Sequence, residues 1–178
     1  MKSINFKLEV EPRGQGRPRI GVVAGHGIAF KDAKSREHES TLRAMCAPFR
    51  PTNAQGNAVQ LEGPLQVVVV AVMPRPADLQ KVSAKTGAPL RPVNSRWDTR
   101  KPDVDNIAKG ILDAMQDWWV DDKQVSALIA IKRLAAFGEA PHYSVMVSEL
   151  CAPGDESCLR FEANDFWPDH ATTTSIPF

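Results

Sequence analysis

Nine consecutive residues, Leu65-Gln-Val-Val-Val-Val-Ala-Val-Met73, narrow the folds open to this chain more than any other feature. The run carries no charge and is rich in β-branched side chains, which favour a pleated strand over a helix. It is far too short to span a bilayer, which takes about 20 apolar residues. With no polar face it must be covered on both sides, so it is expected to be a strand inside a sheet. At 178 residues, 43% of them hydrophobic, the chain can bury a real core within one domain.

The other elements follow from periodicity. Ile4, Phe6, Leu8 and Val10 alternate with polar residues and predict a half-buried strand. A basic loop, Arg13-Gly-Gln-Gly-Arg-Pro-Arg19, comes next, and Ile20 to Phe30 reads as a hairpin turning at Gly25-His26-Gly27. Ala33 to Met45 predicts a charged helix, with Ser35 as a candidate cap and Pro48 and Pro51 ending it. Residues 74–101 have no apolar period and hold seven cations against Asp78 and Asp98, which predicts a mobile basic loop. Ile107, Ile111, Ala114 and Trp118 recur at helical spacing, over a helix expected from 105 to 117 and about 20 Å long. Strands are expected over Val125–Leu134 and His142–Leu150, which closes a domain over residues 1–150. Residues 151–178 turn acidic and Pro-containing and read as a loosely ordered tail that Phe161, Phe166 and Trp167 could partly dock. The N-terminus breaks its apolar run with Lys7, Glu9 and Glu11, so no secretory signal is expected. Cys46, Cys151 and Cys158 lack metal-ligand spacing and are expected to be free thiols in a reducing cytosol.

The net charge is only +1, but it is polarised: residues 1–101 hold 17 cations and 8 anions, and residues 102–178 hold 5 and 13. That split suits a basic surface for a polyanion joined to an acidic pocket for a cation. The acidic part contains two tight pairs, Asp103-Val-Asp105 and Asp121-Asp122. Carboxylates without His or Cys are the ligand set of Mg²⁺ or Mn²⁺. Two helical residues two apart point about 200° apart, so Asp103 and Asp105 converge only if Asp103 lies in an extended approach to the helix. Pro102 favours that approach by restricting Lys101. Bringing Asp121-Asp122 to the first pair is harder, because a whole helix separates them. Lys109, four residues after Asp105 on the same face, could neutralise charge on a scissile phosphate. The plainer alternatives are Asp103 as a helix cap, Asp105–Lys109 as an i,i+4 ion pair and Asp121-Asp122 as a turn. Haloacid-dehalogenase-type phosphatases and nucleotide-sugar transferases place an Asp-x-Asp at the end of a strand, whereas here the preceding residues, Asp98 to Pro102, are no strand.

Lys101-Pro-Asp-Val-Asp-Asn-Ile-Ala-Lys-Gly-Ile-Leu-Asp-Ala-Met115, followed by Trp119-Val-Asp-Asp-Lys-Gln-Val125, resembles the RusA family of Holliday junction resolvases. Gly16-Arg-Pro-Arg19 and Ala29-Phe-Lys-Asp32 are also similar to that family, with Phe30 where a Tyr is usual. The resemblance implies a small single α+β domain with a mixed sheet and two main helices. It also implies a homodimer making paired, symmetric nicks in branched DNA, leaving 5′-phosphate and 3′-hydroxyl ends. The metal ligands would be Asp103, Asp105 and Asp122 with Asp121 close by, Lys109 would be the essential lysine, and Mg²⁺ would be the cofactor, with Mn²⁺ able to substitute. A bacterial or phage-encoded cytoplasmic protein is expected. For DNA grip the candidates are Arg17, Arg19, Lys81, Lys85, Arg91, Arg96 and Arg100, with Trp97 either stacking on an unpaired base or packing in the core. Two rival functions remain: a non-catalytic nucleic-acid-binding protein with structural aspartates, and a metal-dependent hydrolase of small phosphoesters.

Overall fold

The computed structural model describes residues 3–16, 19–23, 26–30, 33–90 and 97–150, with the strands at 19–23 and 26–30 given by their backbone. Its elements are β1 (Ser3–Leu8), β2 (Arg19–Val23), β3 (His26–Phe30), α1 (Ala33–Cys46), β4 (Leu65–Met73), α2 (Val104–Ala114), β5 (Val125–Leu134) and β6 (His142–Glu149). One sheet runs in the order β1-β6-β4-β5, and β2 and β3 form a separate antiparallel ribbon. Within the sheet β4 pairs with β5 in parallel, and the other contacts are antiparallel. The architecture is therefore a mixed four-stranded sheet with two helices, an α+β domain as expected. No described helix is long and apolar enough to cross a membrane.

β4 behaves as its composition demands: no residue in it exceeds 5% exposure. Leu65, Val67, Val69, Ala71 and Met73 join the main core with Phe6, Leu8, Tyr143, Val145 and Val147, covered by Leu42 and Cys46 of α1 and Ile107 and Ile111 of α2. Val68, Val70 and Val72 form a second layer on the opposite face with Ala135 and Met146, flanked by Ile129 and Ile131. Burying each of these aliphatic side chains is worth about 1.5–3 kcal/mol, so β4 anchors the fold from both sides.

α2 buries Ile107, Ala108, Ile111 and Ala114, one apolar stripe at helical spacing. It stops at Ala114 rather than at 117. Met115 N–H is shared between the Ile111 and Leu112 carbonyls, and Trp118 N–H bonds to the Met115 carbonyl. The reason is packing. Trp118 and Trp119 are both 1% exposed, whereas consecutive helical residues point about 100° apart. A turn lets both rings enter the core, where Trp118 meets Phe6 at 5.5 Å between ring centres.

Three local expectations need correction. α1 runs to Cys46, and Ser35 lies inside its first turn rather than at its cap. A short 3-10 turn over Ala47–Phe49, which contains Pro48, continues it. Within the stretch 74–101, the described residues hold a 3-10 turn at Ala77–Leu79, a Val82–Pro89 bridge and a Trp97–Arg133 bridge to β5. Of the turn expected at Gly25-His26-Gly27, His26 and Gly27 instead pair with Val23 and Val22 in the ribbon, while Gly25, the tail 151–178, Cys151 and Cys158 lie outside the described residues.

Candidate active site

Asp103 occupies the residue before α2 with φ −69° and ψ 149°, the extended approach that Pro102 favours, and its carboxylate makes no capping bond. Asp105 sits in the first turn, where an acidic side chain complements the helix dipole. Asp103, Asp105 and Lys109 are all exposed, and among the described residues neither aspartate is ion-paired. The plain cap and i,i+4 readings therefore do not account for these side chains. Both carboxylates line one cleft of about 480 Å³, with Trp97, Asp98, Ala130 and Lys132 among its other walls. Asp103 also borders a cleft of about 610 Å³ formed with Arg13, Met73, Pro74, Lys101 and Asn106.

The backbone beneath this pair is pinned. Lys132 of β5 donates to the Pro102 carbonyl at 2.6 Å and also to the Arg100 carbonyl. Arg100 grips Asp98 with two nitrogens, at 2.8 and 2.7 Å, and reaches the Pro74 carbonyl at 3.1 Å. Burial pushes the Asp98 carboxyl up, but the Arg100 hydrogen bonds and charge outweigh it and hold the group below the usual carboxylate range. On the other side, a Cβ at Gly14 would stand 2.5 Å from Pro102 Cβ, so this approach to the Asp103 segment is open only to glycine.

Asp121 and Asp122 are held differently. Asp121 is extended and caps a 3-10 turn, accepting from Lys123 N–H at 2.9 Å. Gln124 organises the turn: Oε1 accepts from Val120 and Asp121 N–H at 2.8 and 3.0 Å, and Nε2 donates to the Leu61 and Gly63 carbonyls at 3.1 and 3.0 Å. The buried Trp119 donates Nε1–H to Asp122 Oδ1 at 3.0 Å. The other Asp122 oxygen takes no hydrogen bond among the described residues.

The two pairs do not meet within one chain. α2 runs opposite to β5, so Asp103 lies near the end of β5, beside Lys132, and Asp122 precedes its start. The eleven residues of α2, about 16 Å of helix, lie between them in the chain. Among the described residues, no group of three or more His, Cys, Asp or Glu is placed to hold a metal ion. Among the described residues of one chain, the four aspartates are therefore not gathered into the single pocket expected from the sequence.

Of the expected DNA contacts, Lys81 and Lys85 are exposed. Arg100 is committed to Asp98 and the backbone. Arg17, Arg91 and Arg96, and the side chain of Arg19, lie outside the description. Trp97 is 54% exposed and lines the Asp103–Asp105 cleft, while Trp118 and Trp119 belong to the core. Cys46 is fully buried, and burial pushes its thiol up to about 12. Sequence reasoning missed Gly14, Gln124 and Lys132 as supports. Only Gln124 left a signal, as part of the motif it shares with Asp121 and Asp122.

Comparison with known proteins identifies what the chain is similar to. The family profile described as Endodeoxyribonuclease RusA matches residues 9–148. The uncharacterized protein YqaN of Bacillus subtilis (strain 168) is 31% identical over 158 residues, an alignment covering 85% of this chain and 100% of that protein.

Proposed function

Because the chain belongs to the RusA endodeoxyribonuclease family, whose members are endonucleases acting on Holliday junctions, we propose that it is a magnesium-dependent homodimeric endonuclease making paired nicks in branched DNA. The observation that carries this reading is the uncommitted Asp103–Asp105 pair at the start of α2, open to a cleft and fixed from behind by Lys132.

Oxygen donors of this kind fit a hard divalent cation. Asp103 and Asp105 would hold it, and such an ion would activate water and offset charge on the phosphate. Lys109, one turn beyond Asp105 on the exposed face, neutralises the scissile phosphate or the leaving oxygen. Lys81 and Lys85, with Arg17, Arg19, Arg91 and Arg96, grip flanking phosphates, leaving 5′-phosphate and 3′-hydroxyl ends at each nick. The setting is the cytoplasm of a bacterium, for a host or phage protein, and residues 151–178 are an appendage to the nuclease domain.

The second half-site comes from a partner. Among the described residues the outer edge of β5 is unpaired from Val125 to Ile131, and Leu128 at its middle is 47% exposed. Two such edges pairing antiparallel about a two-fold at Leu128 set Val125 opposite Ile131 of the second copy. Asp122, three residues before Val125, then lies beside the Asp103–Asp105 cleft of the other subunit. One dimer carries two related sites, as two opposed cuts require.

Mixing two inactive variants tests this. Asp105→Asn and Asp122→Asn homodimers each lack both sites, but a mixed dimer regains one. The mixture should recover roughly a quarter of the wild-type nicking of a four-way junction in Mg²⁺. No recovery despite subunit exchange would refute the shared site. A second reading, a non-catalytic junction binder, draws on the absence of a three-ligand group among the described residues of one chain. It requires wild-type protein that binds the junction but leaves it uncut in both Mg²⁺ and Mn²⁺.

A further inference from the structure

Residues 81–90 form a small hairpin that stands almost wholly in solvent. Leu90 N–H bonds to the Lys81 carbonyl at 2.9 Å, Val82 pairs with Pro89, and Ser83 N–H bonds to the Ala88 carbonyl at 2.8 Å. The tip closes through Gly87, at φ +67°, whose N–H reaches the Ser83 carbonyl at 2.8 Å, while the Ser83 and Thr86 hydroxyls take the Lys85 and Ala88 N–H groups at 3.3 Å each. The ribbon is therefore shaped by its own backbone and hydroxyl bonds rather than by a core. Its base is fixed to the body by Arg75, which donates to the Ala135 and Leu79 carbonyls at 3.2 and 3.4 Å.

Side chains alternate faces along a ribbon. Val82 and Pro89 share one face, Lys81 and Leu90 the other. Val82 is 41% and Leu90 59% exposed, and among the described residues Lys81 and Lys85 have no acidic partner. A thin, preformed ribbon with apolar side chains on both faces and cations at base and tip has the chemistry of an element inserted between two base stacks. Apolar wedges of this kind unstack and bend nucleic acid. Seven residues link the ribbon to the end of β4, where Met73 and Pro74 line the same cleft as Asp103.

We propose that residues 81–90 are a wedge that enters the branch point of the DNA, with Val82 and Pro89 against one stack, Leu90 against the other, and Lys81 and Lys85 on the phosphates beside them. This rests on the reading of the chain as a branched-DNA nuclease.

The test uses the full chain and a four-way junction carrying 2-aminopurine next to the crossover, in EDTA so that no strand is cut. Wild-type protein should raise the probe's fluorescence there, and not when the probe lies well inside one arm. Val82→Ser/Leu90→Ser, whose positions are exposed and whose melting should be unchanged, should bind the junction yet lose the rise, and in Mg²⁺ its junction nicking should fall about tenfold. Lys81→Gln/Lys85→Gln should keep the rise at saturation but bind more weakly, with the salt dependence shallower by about two counterions. A Val82→Ser/Leu90→Ser protein with the full rise, or wild-type protein that binds and cuts without one, overturns the wedge alone. Wild-type protein that neither binds nor cuts the junction overturns the nuclease reading beneath it.

Discussion

The two ends of α2 carry the same kind of feature, a tight pair of aspartates, and the fold treats them in opposite ways. At the N-terminal end the main chain is tied down, by Lys132 on the Pro102 carbonyl and by the Arg100–Asp98 clasp, and both carboxylates are left free. At the C-terminal end the carboxylates themselves are tied: Asp121 caps a turn, and Asp122 is aimed by Trp119 through one oxygen while the other stays open. The first end can accept a ligand without breaking a bond. The second offers one oriented oxygen on a stiff mount. On the proposed function, the first would receive a cation and the second would complete its coordination.

Substitutions can break this contrast in order of severity. Asp105→Asn removes a carboxylate from the receiving end, and junction nicking should drop about a hundredfold or more while junction binding, read by gel shift, is retained. Trp119→Phe frees the completing end. It removes the 3.0 Å bond to Asp122, and nicking should fall roughly tenfold, with about 1 kcal/mol or more of stability lost in denaturant titration. A tenfold higher Mg²⁺ requirement would separate loss of aim from loss of packing.

Acid should weaken the receiving end through Asp98, whose carboxyl is held below its ordinary value of 3.8. A depressed carboxylate adds stability above its unfolded pKa and loses it as the pH falls through the lower folded value. The melting-temperature gap between wild type and Asp98→Asn should therefore be full at about pH 5 and close progressively below about pH 4. The smallest effect is expected midway between the ends. A Cβ at Gly110 would meet only Leu42 Cδ1, at 3.8 Å, an ordinary contact. Gly110→Ala should raise stability by up to about 1 kcal/mol and leave nicking unchanged, since it touches neither pair.

Much of this was legible beforehand, where composition and burial agree. The limits of β4 and β5 and the extended entry at Asp103 follow from side chains that the core or a proline constrains directly. The early end of α2 was hidden because two adjacent tryptophans both needed burial, a demand visible only once the core position was known. Residues 81–90 read as formless because their order comes from main-chain and hydroxyl bonds with no apolar rhythm, although Gly87 between Thr86 and Ala88 was turn chemistry in plain view. The separation of the aspartate pairs depends on the antiparallel lie of α2 on β5, and the service of Lys132 crosses 30 residues to reach a carbonyl. Neither leaves a trace in local sequence.

Among the described strands β4 and β5 are the only parallel neighbours in the sheet, joined from Leu65–Val125 to Met73–Leu134 with one register shift between Leu65 and Gln66. Chain leaving the top of one must travel to the bottom of the other before it can pair. That journey, residues 74–124, carries the ribbon, both aspartate pairs and Lys109, while the two strands it joins stay paired side by side. The segment also supplies core side chains, Ile107, Ile111, Trp118 and Trp119 among them, so an exchange must keep that packing. Exchanged between relatives at Met73 and Val125, it should carry its cutting preference into a foreign sheet.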